Sequence, residues 1–236
     1  TINDVERVVQ LAKEVGAVTV IDAVHYAAHG VIDVQALDCD FLLCSAYKFF
    51  GPHVGILYGK RSAFERLRTY KVRPQSPEPP CKFETGTGNF EGLAGVIGAV
   101  DFIASLGDEL LTGEHSLRER IVAGYEAIEQ YERPLFKVLV EGLEAIPGVT
   151  LYGLPWDGRR TATVAFTVAG VHASEVARRL GEVGIFVMCG DFYATRLIEV
   201  LDLVREGGVI RAGLAPYNTL EEVERLLAAV REIAAQ

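Results

Sequence analysis

The sequence predicts an α/β chain that closes with a separate, small α+β domain. Three observations carry this. Three short runs, the β-branched 17–21 and the apolar 41–44 and 54–58, are continuous rather than alternating, as strands buried on both faces of an α/β layer would be. Two capping boxes, Asn3-x-x-Glu6 and Thr219-x-x-Glu222, open amphipathic helices near either end of the chain. Between the two parts runs a long, charged helical stretch that reads as a connector.

In order, Asn3 caps a helix that turns Val5, Val8, Val9, Ala12 and Val15 to one face, and Gly16 is placed to stop it. The run 17–21 reads as a strand ending on Asp22, 41–44 as a strand ending on Ser45, and 54–58 as a third. Four prolines within 72–80 force an extended loop. Helical patterning returns over 93–106, and the connector spans 114–146, bent or broken near Pro134. Strands follow at 149–152 and 162–168, a helix at 173–182, and short strands at 185–188 and 209–212. The last helix, opened by Thr219, turns Leu220, Val223, Leu226, Leu227, Val230 and Ile233 inward. The division is residues 1–107, a partial large domain; 108–147, a helical connector; and 148–236, a small α+β domain.

With 50% hydrophobic residues in 236, disorder is excluded for most of the chain. The 23 Lys and Arg against 32 Asp and Glu give a formal charge of −9, which argues against nucleic-acid binding and for small-molecule or protein partners. No uncharged apolar run approaches the ~20 residues of a membrane span. The four cysteines form no CxxC pair and the five histidines show no ligand spacing, so no metal site is expected. Cys39 and Cys44 read as buried thiols of a reducing, cytoplasmic compartment.

Three polar residues stand where apolar runs end: Asp22, Ser45 and, three residues later, Lys48. Ligands of open α/β sheets bind outside the carboxyl ends of the strands. An aspartate after a strand is more often a turn or helix cap, and a lysine there is usually solvated. Lys48, however, precedes Phe49-Phe50-Gly51-Pro52, an apolar context expected to desolvate it and favour the neutral amine that a Schiff-base lysine needs. His29 and His53 have no base or metal beside them in the pattern and read as ordinary residues.

The segments Val20-Ile-Asp22-Ala-Val-His25-Tyr-Ala-Ala-His29 and Asp40-Phe-Leu-Leu-Cys-Ser45-Ala-Tyr47-Lys48-Phe-Phe-Gly51-Pro52 resemble class V aminotransferases. That group has the fold type I architecture of pyridoxal phosphate (PLP) enzymes and includes cysteine desulfurases and selenocysteine lyases. Phe83-Glu84-Thr-Gly86-Thr87-Gly-Asn89 and Arg211-Ala-Gly-Leu-Ala-Pro-Tyr217-Asn218-Thr219 agree in order, so the resemblance covers nearly the whole chain. It implies a large domain built on a mixed, mostly parallel sheet. It also implies that Lys48 carries PLP as a Schiff base and that Asp22 pairs with the pyridinium nitrogen. His25 would lie beside the phenolic oxygen, Ser45 would bind the phosphate, and Tyr47 stands where desulfurases usually have histidine. Thr87 matches a residue that reaches the phosphate of a neighbouring subunit, implying a homodimer. Arg211 matches the arginine that clamps the substrate carboxylate, and Asn89 is read as a further substrate-binding residue.

Two departures from the family pattern stand out. Tyr193 occupies the place of the desulfurase nucleophilic cysteine and Met188 that of a common arginine; Cys189, four residues before Tyr193, reads as a semi-buried thiol. The family's large domain also begins well before the Asn3 helix. The resemblance therefore implies a fragment without the residue that stacks on the cofactor ring; were these 236 residues the whole protein, weak or no cofactor binding and a sheet edge left for a partner would follow. On this reading the activity is transamination, elimination or desulfuration of a small amino acid. The alternatives are a binding or dimerisation module that keeps the fold without the chemistry and, third, a Schiff-base enzyme using Lys48 without PLP.

Overall fold

The computed structural model describes residues 1–235. The chain divides into two units: Asn3–Ala127, and a second made of Thr1–Ile2 with the chain from Ile128 onward. The first holds α1 (Val5–Glu14), β1 (Val20–Asp22), α2 (Val34–Leu37), β2 (Phe41–Ser45), β3 (Gly55–Gly59), α3 (Arg61–Arg66), α4 (Phe90–Leu106) and the opening turns of α5 (Leu117–Glu144). The second holds the rest of α5, then β4 (Val149–Tyr152), β5 (Thr163–Val168), α6 (Ala173–Glu182), β6 (Met188–Gly190), α7 (Thr195–Val200), β7 (Val209–Gly213) and α8 (Leu220–Ala234).

Asp4, not Asn3, caps α1: its carboxylate accepts from the Arg7 N–H at 3.1 Å, so the helix starts one residue later than the capping-box pattern suggests. Gly16 ends it at φ 68°, with Gly16 and Ala17 donating back to Lys13 and Ala12 in a Schellman arrangement. In the sheet, ordered β1-β2-β3, β1 runs parallel to β2 and β3 antiparallel to it. Asp40 staples the entry of the parallel pair. Its Oδ2 accepts from the Thr19 N–H at 2.9 Å and the Thr19 hydroxyl at 3.0 Å, while the Asp40 N–H donates to Thr19 Oγ1 at 2.8 Å. These bonds, the Thr19 N–H first, hold the Asp40 carboxyl below its ordinary pKa. Asp40→Ala is expected to lower stability by about 1–3 kcal/mol, read as a shifted urea midpoint, because Thr19 is buried and loses its acceptor.

One face of this sheet packs Leu42 and Ile21 with Val9 and Cys39. On the opposite face Leu43 and Leu57, paired in register, and Val20 are 37%, 44% and 60% exposed, while Phe41, the partner of Val20, is buried against Phe64. The expectation of strands buried on both faces is corrected there, and so is that of one inward face for the first helix: Val8 and, just past its end, Val15 are exposed while Val9 is buried. Apolar runs report the capacity for burial, and these side chains remain exposed among the described residues.

Helices α4 and α5 meet almost backbone to backbone. A Cβ on Gly124 would stand 2.0 Å from the Ile103 carbonyl oxygen, and one on Gly107 2.4 Å from the Gly124 nitrogen. Next to this contact the Tyr125 hydroxyl donates to the Ala27 carbonyl at 2.6 Å, and burial pushes its pKa up to about 12. A folded-state pKa above the unfolded value of ~10 gives stability that is whole below pH 10 and lost as pH rises through 12. Tyr125→Phe is expected to cost about 1 kcal/mol at neutral pH and to flatten the fall in stability over that window. Equal pH slopes for wild type and variant would contradict this.

The stretch Phe90–Leu110 is the one helical segment among the described residues long and apolar enough to cross a bilayer. Its Ala99, Ile103 and Ala104 are buried, Ala99 and Ile103 in a core with Ala46 and Phe49.

In the second unit four antiparallel strands, ordered β4-β5-β7-β6, carry a core in which Val164, Phe166 and Val168 of β5 alternate inward. They meet Leu139 and Leu143 of α5, Val176 and Leu180 of α6, and Val223 and Val230 of α8. The capping box at Thr219 and Glu222 is formed in both directions. α5 runs through Pro134 as one helix, so of the predicted bend or break the break does not occur. The lost N–H and ring crowding cost about 3 kcal/mol, offset by Phe136, Leu139, Val140 and Leu143, which bury within three turns after the proline.

Candidate active site

Asp22 ends β1 opposite Leu43, and the ladder continues as the Ala23 N–H donates to the Leu43 carbonyl at 2.9 Å. Two residues past Leu43, Ser45 ends β2, so Asp22, Ser45 and the turn bearing Lys48 share the carboxyl end of a parallel pair. Asp22 Oδ1 accepts from the Val24 N–H at 2.9 Å, and Oδ2 has no hydrogen-bond partner among the described residues. His25 lies in the turn that follows, its ring centroid 4.9 Å from that of His29.

After Ser45 the chain makes a single tight turn. The Ala46 carbonyl accepts from the Phe49 N–H at 3.0 Å and the Gly51 N–H at 2.8 Å. A Cβ on Gly51 would meet the Ala46 oxygen and Cβ at 3.0 Å, so a glycine lets the turn close. Phe50 takes the left-handed conformation at φ 70°, a strained state for a bulky residue. Phe49 is buried and Phe50 half-buried, and both turn into the core shared with α4. Lys48 is left exposed. The predicted desolvation of Lys48 by these aromatics is thus corrected within this chain: their rings point to the sheet interior.

The Lys48 ammonium lies 5.2 Å from the centroid of the Tyr47 ring, which stacks on His53 at 4.7 Å. Every other lysine has a partner: Lys13 and Lys60 pair with Asp38, Lys71 and Lys82 donate to the Gln75 and Leu67 carbonyls, and Lys137 pairs with Glu141. Lys48 alone makes no hydrogen bond or ion pair among the described residues.

The 86–89 segment delivers the start of α4 to the same turn. Asn89 caps α4, its side-chain oxygen accepting from the Gly92 N–H at 2.9 Å. Glycines at 92 and 95 permit a close approach: Cβ atoms there would stand 2.7 Å from Val54 and 2.9 Å from Pro52. Thr87 is exposed, two residues before the cap.

The remaining candidates lie in the second unit. Arg211, on β7, pairs in register with Ala165 and Met188; it is half-buried, and burial lowers its pKa from the ordinary value. Cys189, opposite Ile210 on β6, is half-buried and packs against the core. Tyr193 is fully exposed at φ 62°. Phe192, absent from the sequence reading, lies with its ring centroid 4.2 Å from the Arg211 guanidinium.

The sequence profile described as Aminotransferase class-V matches residues 1–124 and 120–226. The chain belongs to that family. A class V relative, the cysteine desulfurase of Pectobacterium carotovorum subsp. carotovorum (strain PC1), is 33% identical over 245 residues, 98% of this chain and 54% of that protein. The cysteine desulfurase of Serratia proteamaculans (strain 568) is 31% identical, over 99% of this chain and 55% of that one. Among solved structures, the Escherichia coli cysteine desulfurase CsdA superposes with a TM-score of 0.81 at 28% identity, over all of this chain and 56% of that one. The apo cysteine desulfurase of Thermococcus onnurineus NA1 gives 0.80 at 30% identity, over 98% and 56%. The chain spans about half the length of the curated relatives it matches.

The fold is that of fold type I enzymes, and class V aminotransferases depend on PLP. The donor set in the first unit fits that group: an unpartnered lysine amine for the aldehyde, a carboxylate with a free oxygen for the ring nitrogen, and hydroxyls at Ser45 and Thr87 for the phosphate.

Proposed function

We propose that this chain is the cofactor-bearing part of a PLP-dependent enzyme acting on a small amino acid, with Lys48 attached to the cofactor as a Schiff base. The observation that supports it best is one juxtaposition: Asp22, with a free carboxylate oxygen, ends β1, and the turn bearing Lys48, whose amine makes no hydrogen bond or ion pair, follows the adjacent parallel strand β2. When bound, PLP supplies an electron sink for charge that develops at the substrate α-carbon. This chain's residues do the rest. Asp22 holds a proton at the ring nitrogen, and His25 donates beside the phenolic oxygen. Ser45, Tyr47 and Thr87 hold the phosphate, Thr87 across a homodimer. With the cofactor bound, the Lys48 amine would be the group that moves the proton at the substrate α-carbon. Arg211 binds the substrate carboxylate through paired N–H donors, and Asn89 helps to seat the substrate.

The chemistry we assign is transamination or elimination in preference to desulfuration. The curated relatives are named cysteine desulfurases. Here a phenol, a far poorer nucleophile toward sulfur than a thiolate, stands at Tyr193 where the resemblance places the thiol nucleophile. Cys189 packs against the core instead.

The test is direct. Purified chain is titrated with PLP and followed by visible absorbance. A saturable band that borohydride bleaches is expected. No band at saturating PLP would overturn the reading for this chain and leave a binding or dimerisation module that keeps the fold without the chemistry.

A further inference from the structure

We propose that Phe192 is a positioning residue for Arg211, holding its guanidinium against the ring so that the N–H donors remain available to an incoming carboxylate. The proposal rests on the reading of Arg211 as the carboxylate-binding residue and deepens it.

Arg211 makes no hydrogen bond and no ion pair among the described residues, although it is half-buried on a central strand of its sheet. A guanidinium carries five N–H donors, and withdrawing it from water without an acceptor is unfavourable. The Phe192 ring, 4.2 Å from the Arg211 Cζ, is the cation–π partner the structure gives it. An aromatic face attracts the cation yet uses none of its directional acceptor sites, so the forked donors stay free. An acidic partner would have neutralised the group and closed it to an anion.

The chain accepts strain to put the ring there. Gly190, Phe192 and Tyr193 have φ of 129°, 52° and 62°, and left-handed backbone at two consecutive aromatic residues is uncommon. Asp191 fixes the turn: its Oδ1 accepts from the Tyr193 N–H at 3.0 Å and its Oδ2 from the Thr195 hydroxyl at 2.6 Å. Phe192 packs against the buried cluster of Ile198, Leu203 and Val209, which holds the ring in place.

Nitrogen-15 NMR of the Arg side chains, with Phe192→Leu, Phe192→Tyr and wild type, tests this. L-Alanine serves as the carboxylate probe. In wild type the Arg211 Nε–H resonance should carry a ring-current shift and respond saturably to L-alanine. Phe192→Leu should lose the shift and weaken binding roughly fivefold. Phe192→Tyr should restore both, which a general packing defect would not allow. Unchanged shift or unchanged affinity in Phe192→Leu, or no rescue by Phe192→Tyr, overturns the positioning role alone. No response of wild-type Arg211 to L-alanine overturns its carboxylate role, and the positioning role with it.

Discussion

Lys48→Ala is expected to reduce borohydride-trapped pyridoxal phosphate to the background level of the other lysines, while the fold survives. The substitution should be structurally mild, because Lys48 is exposed and its ammonium supports nothing except a contact with the Tyr47 ring. The turn is set by main-chain bonds to the Ala46 carbonyl and by Gly51, none of which needs the lysine side chain. The remaining five lysines are held in ion pairs or hydrogen bonds, so their amines start from a more engaged state. Trapping that persists in Lys48→Ala at the wild-type level would place the aldehyde elsewhere. Asp22→Asn offers an internal contrast: it keeps the acceptor for the Val24 N–H but loses the charge proposed to hold a proton on the ring nitrogen. It should shift the absorbance of the trapped-competent species and leave the site of attachment unchanged.

The second large effect is on stability. Gly124→Val is expected to lower the urea midpoint by the equivalent of about 3 kcal/mol or more, at the upper end of what overpacking costs. No side-chain rearrangement relieves the clash, since the obstacle is the Ile103 carbonyl oxygen at 2.0 Å from the new Cβ. The helix must move bodily, separating α5 from α4 and stretching the Tyr125 bond to Ala27. Since α4 begins at the 86–89 segment and rests on Pro52 and Val54, the same variant should also weaken PLP capture at Lys48. A midpoint within 1 kcal/mol of wild type would show that the two helices separate freely.

The sequence displays some of this plainly. The strands at 149–152 and 162–168, the helix at 173–182 and the Thr219 capping box agree with the structure to within a residue, because each has a local signature of alternation or capping. Asp22, Ser45 and Lys48 are visible because they end apolar runs. Other features depend on what packs where. Phe49 and Phe50 read as a shroud for Lys48, and only the tertiary turn shows them pointing inward. Pro134 reads as a bend or a break, and only the downstream burial of Phe136, Leu139 and Leu143 explains why the helix continues. Gly124 gives no local signal, since its need for a missing Cβ comes from a carbonyl 21 residues away in the sequence. The Phe192 contact is similarly non-local, although the Gly190-Asp191 pair marks a turn there that could have drawn attention to it.

The most direct test of the central claim is to locate the attachment. The purified chain is loaded with pyridoxal phosphate, reduced with borohydride, digested and mapped by mass spectrometry. The account predicts one pyridoxylated peptide, the one containing Lys48, present in wild type and absent in Lys48→Ala. Modification spread across the lysines, concentrated on another one, or absent at saturating cofactor would contradict it.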